Sequence, residues 1–281
     1  MLKQAMISGF ADEIDSSFDV QLRVLKELGQ DYLELRGADG IGVADFTDEK
    51  AKELKEKMKA AGIQVSAIGS PIGKIGILDD FAPHFEKFKR IVALAHFFET
   101  SYIRMFSFYL PDENKPEEYR DEVFNRLKQM ISYAEKENVV LLHENEKGIY
   151  GAMAAQCKDM FTNLYGDHFQ CIFDFANFIQ CKQETIAAYE LLRPYIAYFH
   201  VKDALWESGE VVLPGTGDGK LSEIFNMAEE NCFNGFLSLE PHLFHFKGFD
   251  QLEIGESAKK EGNGVMAYKA ASHYLKKILE D

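Results

Sequence analysis

The stretch "VVLLHENEKG", residues 139–148, decides how this chain is read. Four apolar residues run without a break into His143, Glu144, Asn145 and Glu146. That is a short buried strand whose tip is suddenly polar. A carboxylate at the end of a greasy strand needs a reason, and the reason depends on how the other strands end.

Working outward in both directions, the same unit recurs. Strand-like runs occupy 5–10, 31–36, 63–70, 101–108, 169–175, 196–203 and 235–240. Helix-like runs fill the gaps at 16–29, 47–62, 81–98, 117–138, 154–166, 181–194, 222–232 and 264–280. In the first, Phe18, Leu22, Leu25 and Leu28 share one face. Gly29 and Gly62 stand where helix C-cap glycines belong. Thr47 is placed to cap the second helix, with Asp48 and Glu49 suited to its dipole. Pro194 stops one helix, and Ser222 is the expected N-cap of another.

Strands separated by helices pair in parallel. Eight such pairs in 281 residues, with no Pro- or Ser-rich linker, predict a single-domain α/β fold over 1–281, a closed (β/α)8 TIM barrel. An open doubly wound sheet would want a phosphate fingerprint after its first strand, and "SGFADE" (8–13) is not one.

Composition narrows the partners. Hydrophobic residues make up 46%, enough for a sizeable core. Against 46 Asp and Glu stand 31 Lys and Arg, a net charge of −15. Such a surface repels nucleic acid and anionic membranes, so neither is expected as a partner. No apolar run reaches the roughly 18 residues of a membrane helix, and the N-terminal residues do not read as a signal peptide. The cysteines, Cys157, Cys171, Cys181 and Cys232, form no C-x-x-C pair. They read as ordinary thiols of a cytoplasmic protein.

In such barrels chemistry sits at the C-terminal mouth. Strand five ends on Glu144, strand six on Asp174, strand seven on His200 and strand eight on Glu240. Each alone has a plainer reading: a solvated loop glutamate, a capping aspartate, a hydrogen-bonded core histidine. Four on consecutive strands at one depth are harder to assemble by accident. Three carboxylates within about 4–6 Å would repel one another, and a divalent cation removes the conflict. Oxygen and nitrogen donors without thiolate suit Mn, Mg, Co or Zn.

Lys202 shares the inward phase of His200. Its roles are to bind substrate, polarising a carbonyl or holding a phosphate, or to form a salt bridge to Asp203 or another carboxylate. Arg36 ends strand two and is a natural clamp for a phosphate or carboxylate. Arg104, earlier in strand four, is such a clamp or else an ion pair in a barrel layer. "PGTGDG" (214–219) is a plain turn or an anion cradle. His242 is a substrate contact two residues past Glu240. His143 and Asn145 flank Glu144 and serve at most as supports. The connection over 241–264 is long for its place. Its Phe244, Phe246 and Phe249 suit closing over a substrate or packing on a second subunit, which leaves a homo-oligomer open.

The stretches "HENEKG" (143–148), "IFDFAN" (172–177), "FHVKDA" (199–204), "GTGDGKL" (215–221) and "SLEPH" (238–242) follow one another as in a known group. The chain resembles the xylose isomerase-like barrel superfamily, in its sugar-phosphate isomerase/epimerase branch. The resemblance implies a divalent metal held by Glu144, Asp174, His200 and Glu240. In the ketose 3-epimerases the two glutamates also move the proton. Those epimerases often carry a histidine three residues after the metal aspartate; here the position is Asn177, taken as a substrate contact.

The expected activity is therefore that of a metal-dependent isomerase or epimerase of a small sugar or sugar phosphate. A proton leaves the carbon next to a carbonyl, and the metal stabilises the enediolate charge. The superfamily also holds inosose and dehydroshikimate dehydratases, which makes a lyase the alternative. An endonuclease IV-like nuclease would need more metal ligands and a basic face.

Overall fold

A computed structural model describes residues 2, 4–243 and 263–280. Eight strands form one sheet: β1 (Met6–Gly9), β2 (Tyr32–Leu35), β3 (Gln64–Ile68), β4 (Tyr102–Met105), β5 (Val140–Glu144), β6 (Phe169–Asp174), β7 (Ile196–Val201) and β8 (Phe236–Leu239). Parallel ladders run from β2 through β8 in chain order and on to β1. β1 and β2 meet at the seam and bring the sheet round into a nearly closed barrel. The fold is the expected (β/α)8 barrel.

The outer ring comprises α1 (Phe18–Leu28), α2 (Asp48–Ala61), α3 (Phe81–Phe97), α4 (Arg120–Glu137), α5 (Ala154–Leu164), α6 (Phe175–Gln180), α7 (Thr185–Leu192), α8 (Leu221–Glu230) and α9 (Asn263–Glu280). The punctuation behaves as the residues suggest. Gly29 and Gly62 close α1 and α2 at φ 69° and 66°, and Thr47 Oγ1 accepts the Lys50 amide at 3.1 Å. Two expectations need correction. The stretch 181–194 yields helix only over α7, and a separate short helix, α6, precedes it because Asp174 Oδ1 accepts the Asn177 amide at 2.7 Å. Ser222 does not cap α8: the helix starts at Leu221, which is buried, and Lys220 at φ 57° takes the cap position.

Period-two alternation divides each strand between the helix layer and the barrel interior. Low in the interior Leu142, Ile172, Tyr198 and Phe236 pack together with Tyr32 and Tyr102. One step higher the same phase becomes polar. Glu34 follows Tyr32, Arg104 follows Tyr102, Glu144 follows Leu142, Asp174 follows Ile172 and His200 follows Tyr198. All five are buried. An apolar floor thus carries a charged upper layer. His143, in the opposite phase, faces the helix layer, where its Nε2 meets Ser107 Oγ at 2.9 Å. Among the described residues no helix is long and apolar enough to cross a membrane. Phe244, Phe246 and Phe249 lie outside the described residues.

Candidate metal centre

Register brings the strand tips together. Asp174 stands level with His200, and His200 level with Ser238, two residues before Glu240. One ligand atom from each of Glu144, Asp174, His200 and Glu240 lies within 4.8 Å of the others, and all four side chains are buried. His200 Nδ1 is 3.1 Å from Glu144 Oε1 and 3.5 Å from Glu240 Oε2.

Two donor atoms of the cluster are left without hydrogen bonds, His200 Nδ1 and Asp174 Oδ2. Lys202 Nζ lies 3.0 Å from that oxygen but off the hydrogen-bonding direction. Buried polar atoms without partners are uncommon and ask for an explanation. Mixed carboxylate and imidazole donors converging on one point fit a divalent cation.

The remaining residues hold these ligands in place. Arg104 Nη1 reaches Glu144 Oε2 at 3.3 Å, the barrel-layer ion pair its position suggested. Asn177 Nδ2 donates to Glu144 Oε1 at 3.2 Å and to the Asn145 carbonyl at 2.9 Å. Asn145 in turn clamps the backbone of Asp174, donating to its carbonyl at 3.0 Å and accepting its amide at 2.9 Å. Lys202 bridges Asp174 and Glu240, the latter at 3.2 Å. Arg36 places Nε on Asp12, Nη2 on Glu13 and Nη1 on Glu240, at 2.8, 3.1 and 3.1 Å. His242 Nε2 lies 3.2 Å from Glu13 and 3.5 Å from Glu240. Glu144, Asp174, His200, Glu240, Lys202, Arg36, His242 and Asn177 therefore belong to one constellation, whereas His143 does not.

Glu13, Glu240 and His242 also converge within 4.8 Å, but Arg36 is already bonded to both glutamates there. Sequence reading missed Asp12, Glu13 and Glu34. Glu34 was within reach, because in "YLELR" it shares the inward phase of Tyr32 and Arg36. Asp12 and Glu13 lie on a short helical turn after β1, where strand periodicity gives no signal.

Electrostatics divide the ligands. Burial alone would raise Glu144, but His200 and Arg104 outweigh it and bring its carboxyl down to about 2. Burial opposes ionisation of Glu240 too, yet Lys202, His242 and His200 hold it well below the usual carboxylate range. Burial pushes Asp174 up to about 7 despite Lys202. Burial disfavours a charged His200, but Glu144 and Glu34 hold its pKa well above the ordinary histidine value. Without a cation, that proton is what reconciles the carboxylates around it.

The glycine-rich turn is an anion cradle after all, filled by the protein's own Asp203. Its Oδ2 accepts the amides of Gly215 and Gly217, and its Oδ1 those of Gly219 and Ala204, all at 2.9 Å. A Cβ on Gly217 would come within 2.5 Å of Asp203 Oδ1. Asp203 thereby fixes the loop beside Lys202. Asp203→Asn presents an NH2 group to amide donors, and it is expected to cost at least about 2 kcal/mol. Chemical denaturation of the purified variant measures this.

A cavity of about 380 Å³ opens at the other end of the barrel, lined by Tyr102, Tyr165, Tyr195 and Phe233 among others. Arg193 is its one charged lining residue, and it carries none of the ligand cluster.

The model of the xylose isomerase-like TIM barrel family matches residues 22–266, a span that includes every member of the cluster. The chain belongs to that family. Solved structures of the same architecture include a probable 3-DHS dehydratase, AsbF, from Bacillus anthracis, at 18% identity and TM-score 0.71, covering 96% of this chain and 98% of that one. A D-tagatose 3-epimerase-like protein aligns at 15% identity and TM-score 0.73, covering 98% of each chain. The IolI protein with a bound zinc atom aligns at 15% identity and TM-score 0.75, again over 98% of each. At these identities the likeness speaks to the fold. Comparison with curated protein sequences gives no match. Structures of this architecture carry names for different reactions, and the fold alone does not fix what this chain does.

Proposed function

We propose that this protein is a divalent-metal-dependent isomerase or epimerase of a small, uncharged sugar. The observation that carries this reading is the pair Glu144 and Glu240. Both are buried and both are held ionised, and they flank His200 Nδ1 from strands three places apart. Glu144, Asp174, His200 and Glu240 hold the cation, one of Mn, Mg, Co or Zn. When bound, it supplies Lewis acidity to a substrate carbonyl.

The chain's own groups do the rest. One glutamate takes the proton from the carbon next to the carbonyl. The other, protonated beforehand from solvent, delivers its own proton to the opposite face for epimerisation, or the first returns its proton to the neighbouring carbon in aldose–ketose exchange. The glutamate that accepts the proton must be ionised before it acts, and the clamps by Arg104 on one side and Lys202 and Arg36 on the other favour that form in whichever of the two is the base. Asp174 has no such role and serves as a ligand. Arg36 and His242 are partly exposed above the cluster and contact substrate hydroxyls. Lys202 and Asn177 are buried; they orient Glu240, Asp174 and Glu144.

The preference for an uncharged sugar follows from pairing. Arg36 meets three carboxylates, Lys202 two, Arg104 one, and Lys74 pairs with Glu146 at 3.0 Å. A phosphate entering among these groups would displace an existing ion pair and face the released carboxylate. The acidic net charge and the same pairing speak against a nuclease. A screen of the purified protein with Mn2+ and after chelation, against ketoses, their phosphates and inososes, tests the reading. The expected result is metal-dependent interconversion of a neutral ketose, with its phosphate turned over at least about tenfold more slowly. Loss of water as the only reaction would replace the isomerase by a lyase. Turnover indifferent to chelation would remove the metal.

A further inference from the structure

Beneath the ligand cluster lies a further buried carboxylate, outside the set of four ligands. Glu34, on β2, is 1% exposed. Its Oε2 and Oε1 lie 3.1 and 3.3 Å from His200 Nε2, the ring nitrogen turned away from Glu144 and Glu240. Ser238 Oγ donates to Oε2 at 2.7 Å from the register position level with His200. The ring itself is wedged edge-on between Phe10 and Tyr198, at 5.1 and 5.8 Å between centroids. Packing therefore fixes where the imidazole lies, and Glu34 faces its Nε2.

We infer that Glu34 is a positioning residue for the metal centre, holding His200 as the Nε2–H tautomer so that Nδ1 presents its lone pair to the cation. The inference rests on the proposed metal centre and adds to it a residue outside the ligand set. The chemistry is specific. A neutral imidazole has one N–H and one lone pair, and a carboxylate can only accept. With Glu34 on Nε2, the N–H must point down and the lone pair up. A carboxylate behind a metal-bound histidine also makes that imidazole a stronger donor. Ser238 adds the second constraint. Its hydroxyl occupies the Glu34 oxygen nearest it and keeps the carboxylate from turning away. The hydroxyls of Ser8, Ser66 and Tyr198 form a neighbouring buried chain, Ser8 to Ser66 at 2.6 Å and Ser66 to Tyr198 at 2.9 Å, with Tyr198 also beside Ser238. That chain shares the layer but does not touch the nitrogens of His200, and it provides the control.

The test is Zn2+ affinity by competition with a chromophoric chelator, together with long-range 1H–15N spectra of histidine-labelled protein. Glu34→Gln keeps shape and an acceptor oxygen but removes the charge. It is expected to weaken Zn2+ about 10- to 100-fold, the usual cost of losing such an outer partner. In the Zn2+-loaded spectrum the Nε2 proton of His200 is expected to move upfield as its charged acceptor is lost. Tyr198→Phe removes a buried hydrogen bond in the same layer. It should lower stability while leaving Zn2+ affinity within about twofold, since its hydroxyl touches neither imidazole nitrogen. If Glu34→Gln does not fold, Ser238→Ala carries the test, with an expected loss of about three- to tenfold, the scale of one hydrogen bond. Wild-type affinity in Glu34→Gln, or in Ser238→Ala where that variant is the one that folds, overturns the inference; so does an equal loss in Tyr198→Phe. If wild-type protein itself binds no Zn2+, the metal centre fails, and that outcome is distinct from the failure of Glu34.

Discussion

Glu144→Gln and Glu240→Gln are each expected to lower turnover on the true substrate by at least ~10²-fold. Glutamine keeps the shape and one ligand oxygen, so metal should stay bound more tightly than in the alanine variants. What disappears is the base. The two changes should differ in detail. Glu144 is held by Arg104 and Asn177, and Glu240 by Lys202 and Arg36. In Glu144→Gln the neutral amide leaves Arg104 buried without its counter-charge, so some loss of stability should accompany the loss of rate. Glu240→Gln leaves Lys202 paired with Asp174 and Arg36 paired with Asp12 and Glu13, so it should fold nearly as well as wild type. Steady-state rates with metal saturating, beside unfolding curves, separate the two effects. Near wild-type rates in both variants would make these carboxylates ligands and nothing more.

His200→Ala is expected to have the largest effect on the resting protein. It removes the one nitrogen donor, and metal affinity should fall by more than the roughly 10- to 100-fold that loss of an outer partner costs. The metal-free chain should suffer as well. His200 lies between Glu34 and Glu144, and both carboxylates are buried. Without the ring, Glu144 keeps Arg104, whereas among the described residues Glu34 keeps the Ser238 hydroxyl but no cation. Breaking a buried ion pair from one side typically costs about 3–5 kcal/mol. Elemental analysis after native purification reads the first effect, and urea unfolding of chelated protein the second. Metal content and affinity equal to wild type would undo the ligand assignment.

Much of this was legible because a barrel strand has so regular a phase. Glu144, Asp174, His200 and Glu240 could be found by asking only how each strand ends. The same rule carried Lys202 and Arg36 into the constellation, but it did not say what they would touch. Lys202 bridges Asp174 and Glu240 while the adjacent Asp203 is taken by a glycine loop, and only the fold of residues 203–219 sets that choice. Glu34 lies one inward position below Arg36 and not at the strand tip, and its meaning depends on His200, which is 166 positions away in the chain. Asp12 and Glu13 owe their place to the turn after β1 and to Arg36, and neither follows a period. Asn177 looked like a substrate contact in the place of a histidine. Its amide is instead turned into the protein, onto Glu144 and the Asn145 carbonyl. Helix ends were least legible where a side chain or a loop set them, as Asp174 does for α6 and Lys220 for α8.

The central claim is proton transfer at a carbon next to a carbonyl, carried by Glu144 and Glu240 around one metal. Mass and NMR analysis of product formed in D2O by the Mn2+-loaded protein tests it most directly. The account predicts deuterium at the carbon alpha to the carbonyl, or at its neighbour where the proton migrates with exchange. It also predicts that deuterium appears no faster than about one hundredth of the wild-type rate in Glu144→Gln or Glu240→Gln. Product formed at the full rate without deuterium at either carbon would contradict it.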